Sequence, residues 1–307
     1  GGYNWLLSVE QGNATVLDDT NHCYGFAFMI LAYSWAYRVG VTEAREYLND
    51  TFQTMETHFW DAKAGLYKDQ HNSDFTKCDP YRGQNAKMHT CEALIAAYEA
   101  TQDELFLNRA LTLADNMVNR QANLMGGLIW EHYDINWQVD LEYNKDDPKN
   151  LFRPWGFQPG HQTEWSKLLM FLNKHKPQTW LVERAQALFD NSIDVAWDKQ
   201  HGGICYGFAP DKSICDDDKY FWVQAETLCC AAYLYETTGD EKYQQWYDKI
   251  WQYSWQHLVD HQYGAWFRIL TVDNKKIDTM KSPIGKTDYH TMGACYEVLR
   301  TLTLRNA

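Results

Sequence analysis

Four of the eleven histidines lie at or just before the starts of apolar stretches with helical spacing. These histidines are His22, His89, His161 and His290. Glu92 follows His89 by three residues, Glu164 follows His161 by three, and Glu226 follows Trp222 by four. Residues three or four apart share one face of a helix. Imidazoles and carboxylates gathered on such faces could perform general acid–base catalysis near neutral pH.

Each of these groups also has a structural interpretation. A histidine at a helix end is often a cap or a hydrogen-bonded core group, and we keep that interpretation for His22, His58 and His257. Glu92 could be half of a capping box. Four residues that should converge on one cavity favour acid–base catalysis more strongly. A metal site is a competing interpretation, because His and Glu can both be metal ligands. One HxxE spacing without further carboxylates is a weak metal signature. The four residues are His161, Glu164, Glu226 and His290.

A repeat of about sixty residues supplies the elements that would position these groups. Each period holds one strongly apolar and one amphipathic helical pattern. The apolar patterns cover 24–37, 88–100, 164–172, 223–237 and 292–302, and the amphipathic ones cover 42–60, 104–120, 180–197 and 241–259. A glycine turn recurs between them, and we expect its glycine to end the preceding helix in a left-handed conformation. These glycines are Gly2, Gly65, Gly127, Gly203 and Gly264.

Such helix pairs predict an all-α fold, an (α/α) barrel. Apolar helices are buried and amphipathic helices have a wet face, so the two kinds form an inner and an outer layer. The inner helices run in one direction and bring their N-terminal ends to one mouth. Six hairpins would close the ring, and we expect the first hairpin to be missing before Gly1. The polar stretch 133–155 predicts a loop over the mouth, and residues 1–307 are expected to form a single domain.

The composition limits the classes of molecule that the protein could bind. A net charge of −13 without a cluster of Lys and Arg argues against nucleic acid and anionic membranes. No apolar run approaches the roughly 18 residues of a membrane span. The eight cysteines contain no CxxC pair and several lie in apolar surroundings, which is typical of a reduced, cytoplasmic protein. Monomer and homo-oligomer both remain open.

Three short motifs carry a family resemblance. They are RGQNAKMH at 82–89, PGHQTEW at 159–165 and YH at 289–290. They resemble the N-acylglucosamine 2-epimerase superfamily, and most closely its aldose–ketose isomerase branch, whose members act on mannose or sulfoquinovose. Further matches at 131–132, 143–146, 152–153 and 222–226 extend the resemblance over nearly the whole chain.

The resemblance implies an (α/α)6 barrel and proton transfer through a cis-enediol of a monosaccharide, with no metal or other cofactor. His161 matches the histidine that moves a proton between C1 and C2. His290 matches its partner, which is assigned to ring opening and the second acid–base role, and Glu164 and Glu226 match the adjacent carboxylates. The matched sugar-contacting positions are Tyr24, Asn85, His89, Arg153 and Trp222.

Two departures from the family pattern bear on the expected function. The family arginine on the first inner helix has no counterpart here, in line with a missing hairpin, and Phe26 replaces a common histidine. Arg153 is the one obvious cation for a sulfonate, so we expect an isomerase of the mannose-to-fructose type. The alternatives are a 2-epimerase acting on N-acylglucosamine or a disaccharide, a glycoside hydrolase that uses Glu164 and Glu226, and a non-catalytic sugar-binding protein.

Overall fold

Helices dominate the computed structural model, which describes residues 2–281 and 288–305. Each predicted helical pattern overlaps one of nine α-helices in these ranges, and α4 continues into a wider π-helical segment, Asp115–Gln121. Among the described residues, no helix combines the length and apolarity that crossing a bilayer requires. The helices are α1 (Cys23–Arg38), α2 (Ala44–His58), α3 (Asn85–Thr101), α4 (Glu104–Ala114), α5 (Pro159–His175), α6 (Thr179–Ala196), α7 (Phe221–Thr238), α8 (Glu241–His257) and α9 (Tyr289–Arg305).

Short strands occupy the connections between helices and pair in antiparallel twos within the described residues. The longest pair, β1–β2, is a hairpin whose turn residues Gln11 and Gly12 have positive φ angles of 49° and 84°. The sequence analysis did not predict this hairpin. The strands are β1 (Leu6–Glu10), β2 (Asn13–Asp18), β3 (Asn21–His22), β4 (Trp60–Asp61), β5 (Leu66–Tyr67), β6 (Gln70–His71), β7 (Arg82–Gly83), β8 (His132–Tyr133), β9 (Gly207–Phe208), β10 (Ile214–Asp216), β11 (Lys219–Tyr220) and β12 (Ile269–Leu270).

The chain divides into two compact units. The first comprises Gly1–Leu124 and Trp130–Leu141, and the second comprises Met125–Ile129 and Glu142–Ala307. In the first unit α1 packs against α2 and α3, and α3 packs against α4. In the second unit α5 packs against α6 and α7, and α7 packs against α8 and α9. A single domain over 1–307 stays a prediction.

Burial separates the two kinds of helix as the hydrophobic patterns predict. Every residue of α7 from Phe221 to Leu234 is buried, whereas α8 buries one face only. The prediction that every apolar helix is buried is wrong for α1, in which five residues are buried and Trp35 is exposed, and for α9. Helix α9 packs against α7, and its Met292, Tyr296 and Leu299 side chains are exposed.

Four of the repeated glycines, Gly65, Gly127, Gly203 and Gly264, are left-handed, but the predicted reason is wrong at Gly65, Gly203 and Gly264. The φ angles of these three are 64°, 80° and 76°, and each lies several residues beyond a helix end. They belong to tight hairpin turns that follow each helix. In the first such turn the Asp61 carboxylate accepts the backbone N–H of Ala64, and Gly65 N–H donates to Asp61 O at 2.8 Å. The expected turn at Gly1 lies outside the described residues.

Candidate active site

His161 and Glu164 lie at the third and sixth positions of α5. The helix begins at Pro159, whose fixed φ angle suits the first helical position. Gly160 follows because a side chain there would collide with α7, since a Cβ would lie 2.5 Å from the Trp222 ring. The Pro-Gly-His sequence therefore starts α5 and lets it approach α7 closely at the level of His161.

Trp222 connects the two imidazoles predicted to be catalytic. Its ring centroid lies 5.0 Å from that of His161 and 5.3 Å from that of His290, with both pairs tilted. All three side chains are buried, and the two imidazoles are only 8% and 6% exposed. The structure thus brings residues from α5, α7 and α9 together around one indole.

His290, Glu226 and Lys167 form a continuous chain of contacts. His290 Nδ1 lies 2.7 Å from Glu226 Oε1, and Lys167 Nζ donates to Glu226 Oε2 at 2.5 Å. Burial alone would raise the pKa of Glu226, but Lys167 and His290 outweigh it and lower that pKa to about 2. An ionised carboxylate only accepts hydrogen bonds, so His290 Nδ1 must donate. In a neutral imidazole this tautomer makes Nε2 the nitrogen that can accept a proton.

Glu164 completes the polar cluster of the second unit. It is fully buried, and one of its carboxylate oxygens lies within 4.8 Å of Glu226 and His290 ligand atoms. Three such groups could surround a cation. However, Lys167 and His290 already contact the two oxygens of Glu226, so Lys167 places a positive charge next to this carboxylate.

Three predicted sugar-contacting residues lie in the first unit. Tyr24 meets His89 edge to face with ring centroids 5.1 Å apart, and Asn85 is the first residue of α3. His89 Nδ1 lies 3.4 Å from Glu92 Oε2. The capping-box interpretation of Glu92 is wrong, because α3 starts at Asn85 and Glu92 lies in its third turn.

A buried ion pair anchors the start of α3. Lys87 and Asp69 are hydrogen-bonded, and the backbone N–H of Gly83 donates to the same carboxylate at 3.0 Å. Both side chains are almost fully buried, so each charge depends on the other for compensation. The RGQNAK motif therefore builds a fixed helix start, from which Asn85 and His89 project.

Arg153 lies in the irregular stretch that the sequence predicts as a loop. Its guanidinium donates to the Tyr143 hydroxyl at 2.6 Å, and its carbonyl accepts from Asn144 at 2.7 Å. Four residues earlier, Lys149 reaches three carboxylates of the second unit. Its ammonium lies 3.2, 3.4 and 3.0 Å from Asp216, Asp217 and Asp218. Lys149 therefore ties the segment that carries Arg153 to strand β10 and the residues after it.

Sequence reasoning missed Lys167 and Lys149. The signal for Lys167 was present, because a lysine among the apolar residues of a helix that is buried all round must pair with an acid. Its spacing of three from Glu164 also places it on the same helix face as a predicted catalytic residue. No local signal marks Lys149, since its partners are more than sixty residues away.

Comparison with known proteins gives consistent matches. Residues 1–294 match the family described as N-acylglucosamine 2-epimerase (GlcNAc 2-epimerase). The D-mannose isomerase of Marinomonas mediterranea is 55% identical over 305 residues, which are 99% of this chain and 76% of that protein. The D-mannose isomerase of Thermobifida fusca is 33% identical over 265 residues, which are 85% of this chain and 65% of that protein.

Solved structures extend these matches to the fold. A crystal structure of D-mannose isomerase aligns with a TM-score of 0.95 at 55% identity, covering 98% of this chain and 76% of the other. The cellobiose 2-epimerase of Spirochaeta thermophila aligns with a TM-score of 0.83 at 20% identity, covering 100% and 76%. The predicted (α/α)6-barrel fold class is confirmed. A missing first hairpin stays a prediction.

Proposed function

Because the chain belongs to the N-acylglucosamine 2-epimerase family, we propose that it interconverts an aldose and a ketose, namely mannose and fructose. One observation carries the proposal: two buried imidazoles, His161 and His290, lie next to the same indole, and Glu226 orients one of them. The identity of 55% to a D-mannose isomerase supports the choice of sugar.

The proposed reaction is a redox-neutral shift of protons. His161 takes the proton from C2 of the open-chain aldose while the electron pair forms the C1–C2 double bond and O1 gains a proton. The resulting cis-enediol loses the O2 proton, the carbonyl forms at C2, and C1 receives a proton from His161, whose N–H exchanges with solvent while the enediol is bound. His290 is suited to the oxygens, because the Nδ1–H bond to Glu226 fixes which nitrogen exchanges protons with them.

The sugar-contacting roles of Tyr24, Asn85, His89, Arg153 and Trp222 belong to the same proposal. Trp222 would offer an apolar ring face, while His89 and Arg153 would offer hydrogen-bond donors to hydroxyl groups. Tyr24 and Phe28 pack against the His89 ring, at 5.1 and 4.9 Å, and so restrict its orientation.

The geometry favours the isomerase over a glycoside hydrolase. A retaining hydrolase needs one carboxylate free to attack the sugar and a second that is protonated. Both oxygens of Glu226 are engaged by Lys167 and His290, and its lowered pKa keeps it ionised. Glu226 can therefore serve neither as an unhindered nucleophile nor as an acid.

Product analysis tests the proposed function. The purified protein is incubated separately with mannose, glucose, N-acetylglucosamine and cellobiose, and each mixture is separated by chromatography. We expect fructose from mannose. Glucose from mannose, or an epimer from either acetylated sugar or disaccharide, would identify a 2-epimerase, and release of monosaccharide from cellobiose would identify a hydrolase.

Metal removal is expected to leave the activity unchanged. Lys167 already neutralises Glu226, so the proton transfers require no cation at this site. Dialysis against EDTA followed by the mannose assay checks this expectation, with untreated protein dialysed in parallel as the control. Activity that disappears on chelation and returns with one particular divalent metal would contradict it.

Lys149→Met is expected to raise KM for mannose about threefold to tenfold while kcat stays unchanged. Loss of three ion-pair contacts frees the segment that carries Arg153 and adds an ordering cost to binding, roughly 0.7–1.4 kcal/mol for such a change. Lys145→Met is the matched control, because Lys145 lies in the same segment and pairs only with exposed Glu142. Equal KM values for the two variants would show that Lys149 has no such role.

The cysteines and the net charge bear on the cellular location of the protein and on the class of its substrate. We propose a reducing, cytoplasmic location, because all eight cysteines are free and Cys23, Cys91, Cys205, Cys229 and Cys230 are buried. The net charge of −13 favours a neutral sugar as substrate over a polyanionic partner such as nucleic acid.

A further inference from the structure

Lys167 is a cation in direct contact with one of the predicted catalytic groups of the second unit. It lies on α5, six residues after His161, and its side chain is 7% exposed. Its ammonium donates to Glu226 Oε2 at 2.5 Å, and the Phe171 ring lies 5.9 Å away. The second oxygen of the same carboxylate faces His290 Nδ1.

A buried lysine requires a reason to be charged. Moving an ammonium or a carboxylate out of water is costly, and each is retained as an ion only when a partner compensates it. Glu226 is 2% exposed, so it would become protonated at neutral pH without a nearby cation. Lys167 and Glu226 therefore keep each other ionised.

We propose that Lys167 is a positioning residue for catalysis, which holds Glu226 as a carboxylate so that Glu226 accepts the Nδ1–H of His290. The proposal rests on the proposed function for its kinetic consequences. It deepens that function by assigning Lys167 the task of fixing the tautomer and orientation of His290. Lys167 touches no reacting atom in this scheme.

The other titratable groups around Glu226 make this role necessary. Glu164 on α5 lies close to the same carboxylate, His290 faces it from α9, and the thiols of Cys229 and Cys230 lie on α7 itself. Burial raises the pKa of both thiols, which keeps them neutral. Without Lys167 two buried carboxylates would stand side by side, and one would take up a proton. A protonated Glu226 could donate to His290 and favour the wrong tautomer.

Lys167→Met tests the proposal through kinetics. We expect kcat to fall about 10²-fold with KM changed less than about threefold, because His290 loses its orientation while the sugar-contacting groups remain. We also expect the acidic limb of kcat/KM to move upward by about one pH unit or more, because Glu226 then titrates near neutral pH. Lys167→Arg keeps the charge and should restore the acidic limb to the wild-type position.

Lys219→Met is the matched control. Lys219 is fully buried in the same unit, and its ammonium donates to Asp198 at 2.6 Å. The Lys219→Met variant should be less stable to heat than wild type. It should keep the wild-type kcat and the wild-type acidic limb of kcat/KM. A Lys167→Met variant that behaves like this control, with lower stability and an unmoved pH profile, would overturn the proposal.

Nuclear magnetic resonance of the ligand-free protein separates this proposal from the proposed function. Protein labelled with ¹⁵N-histidine reports which nitrogen of His290 carries the proton, with His290→Asn used to assign the signal. We expect a protonated Nδ1 in wild type and Lys167→Arg, and a shift away from that form in Lys167→Met. An unchanged tautomer in Lys167→Met refutes the role of Lys167, whereas a wild-type protein without isomerase activity refutes the function alone.

Discussion

His161→Asn is expected to lower kcat for mannose isomerisation by about 10³-fold or more while leaving the fold intact. General base catalysis by a positioned side chain contributes typically about 10²–10⁴ to a rate, and in this scheme His161 performs both carbon proton transfers. Asparagine is smaller and cannot accept a proton at neutral pH. The substitution removes the ring contact with Trp222, whose ring lies 5.0 Å away.

Steady-state kinetics and thermal unfolding check this expectation together. The unfolding midpoint should stay within about 3 °C of the wild-type value. His175→Asn is the matched control, because His175 is the last residue of the same helix α5. It should keep wild-type kcat. A His161→Asn variant with more than about a tenth of wild-type kcat would show that another group is the base.

Glu226→Gln is expected to impair both catalysis and stability. The glutamine side chain has one oxygen and one NH₂ group in place of two carboxylate oxygens. Its NH₂ group must face either Lys167 or His290, so one of the two contacts is lost. We expect kcat to fall about 10²-fold or more through disorientation of His290. The buried Lys167 ammonium then lacks its counter-charge, and the free energy of unfolding should fall by about 3–5 kcal/mol.

The pH dependence of this stability loss has a definite sign. The pKa of Glu226 is lowered in the folded state, from 4.5 to about 2, so its contribution is present above the unfolded-state pKa. It is lost as pH falls from 4.5 toward 2. Urea unfolding at several pH values should therefore show a constant difference between wild type and variant near neutrality, and a smaller one in acid.

Glu297→Gln serves as the control for Glu226→Gln. Glu297 lies on α9 and accepts hydrogen bonds from Tyr233 and Arg300, outside the His290 contact. It should lose some stability and keep wild-type kcat. A stability difference for Glu226→Gln that grows on acidification, or a kcat equal to that of the control, would contradict the assigned role.

The helices were predictable because their hydrophobic patterns are long and regular. The stretch 223–237 has ten apolar residues out of fifteen and lies within α7, which is buried from Phe221 to Leu234. The first residue of a helix was harder to predict where the helix begins before its apolar pattern. Thus α5 starts at Pro159, five residues before the apolar pattern that revealed it, because Pro159 and Gly160 carry no helical periodicity.

Several features of the structure could not be predicted from the sequence. The glycine turns look like helix ends in the sequence, but Gly65 lies in a turn between two-residue strands, and Gly203 and Gly264 lie in turns that are closed by single β-bridges. The β1–β2 hairpin is short and largely exposed, so it lacks a buried face that would reveal alternation. Spacing rules could not link Lys167 to Glu226, because the two residues lie on different helices.

We propose that two histidines next to one tryptophan move protons within a single sugar. Proton nuclear magnetic resonance of mannose incubated with the protein in D₂O follows these proton transfers. We expect fructose that carries deuterium at C1, formed by wild type and by His175→Asn and absent with His161→Asn. Deuterium at C2 of glucose without any fructose, or fructose formed equally by His161→Asn, would contradict it.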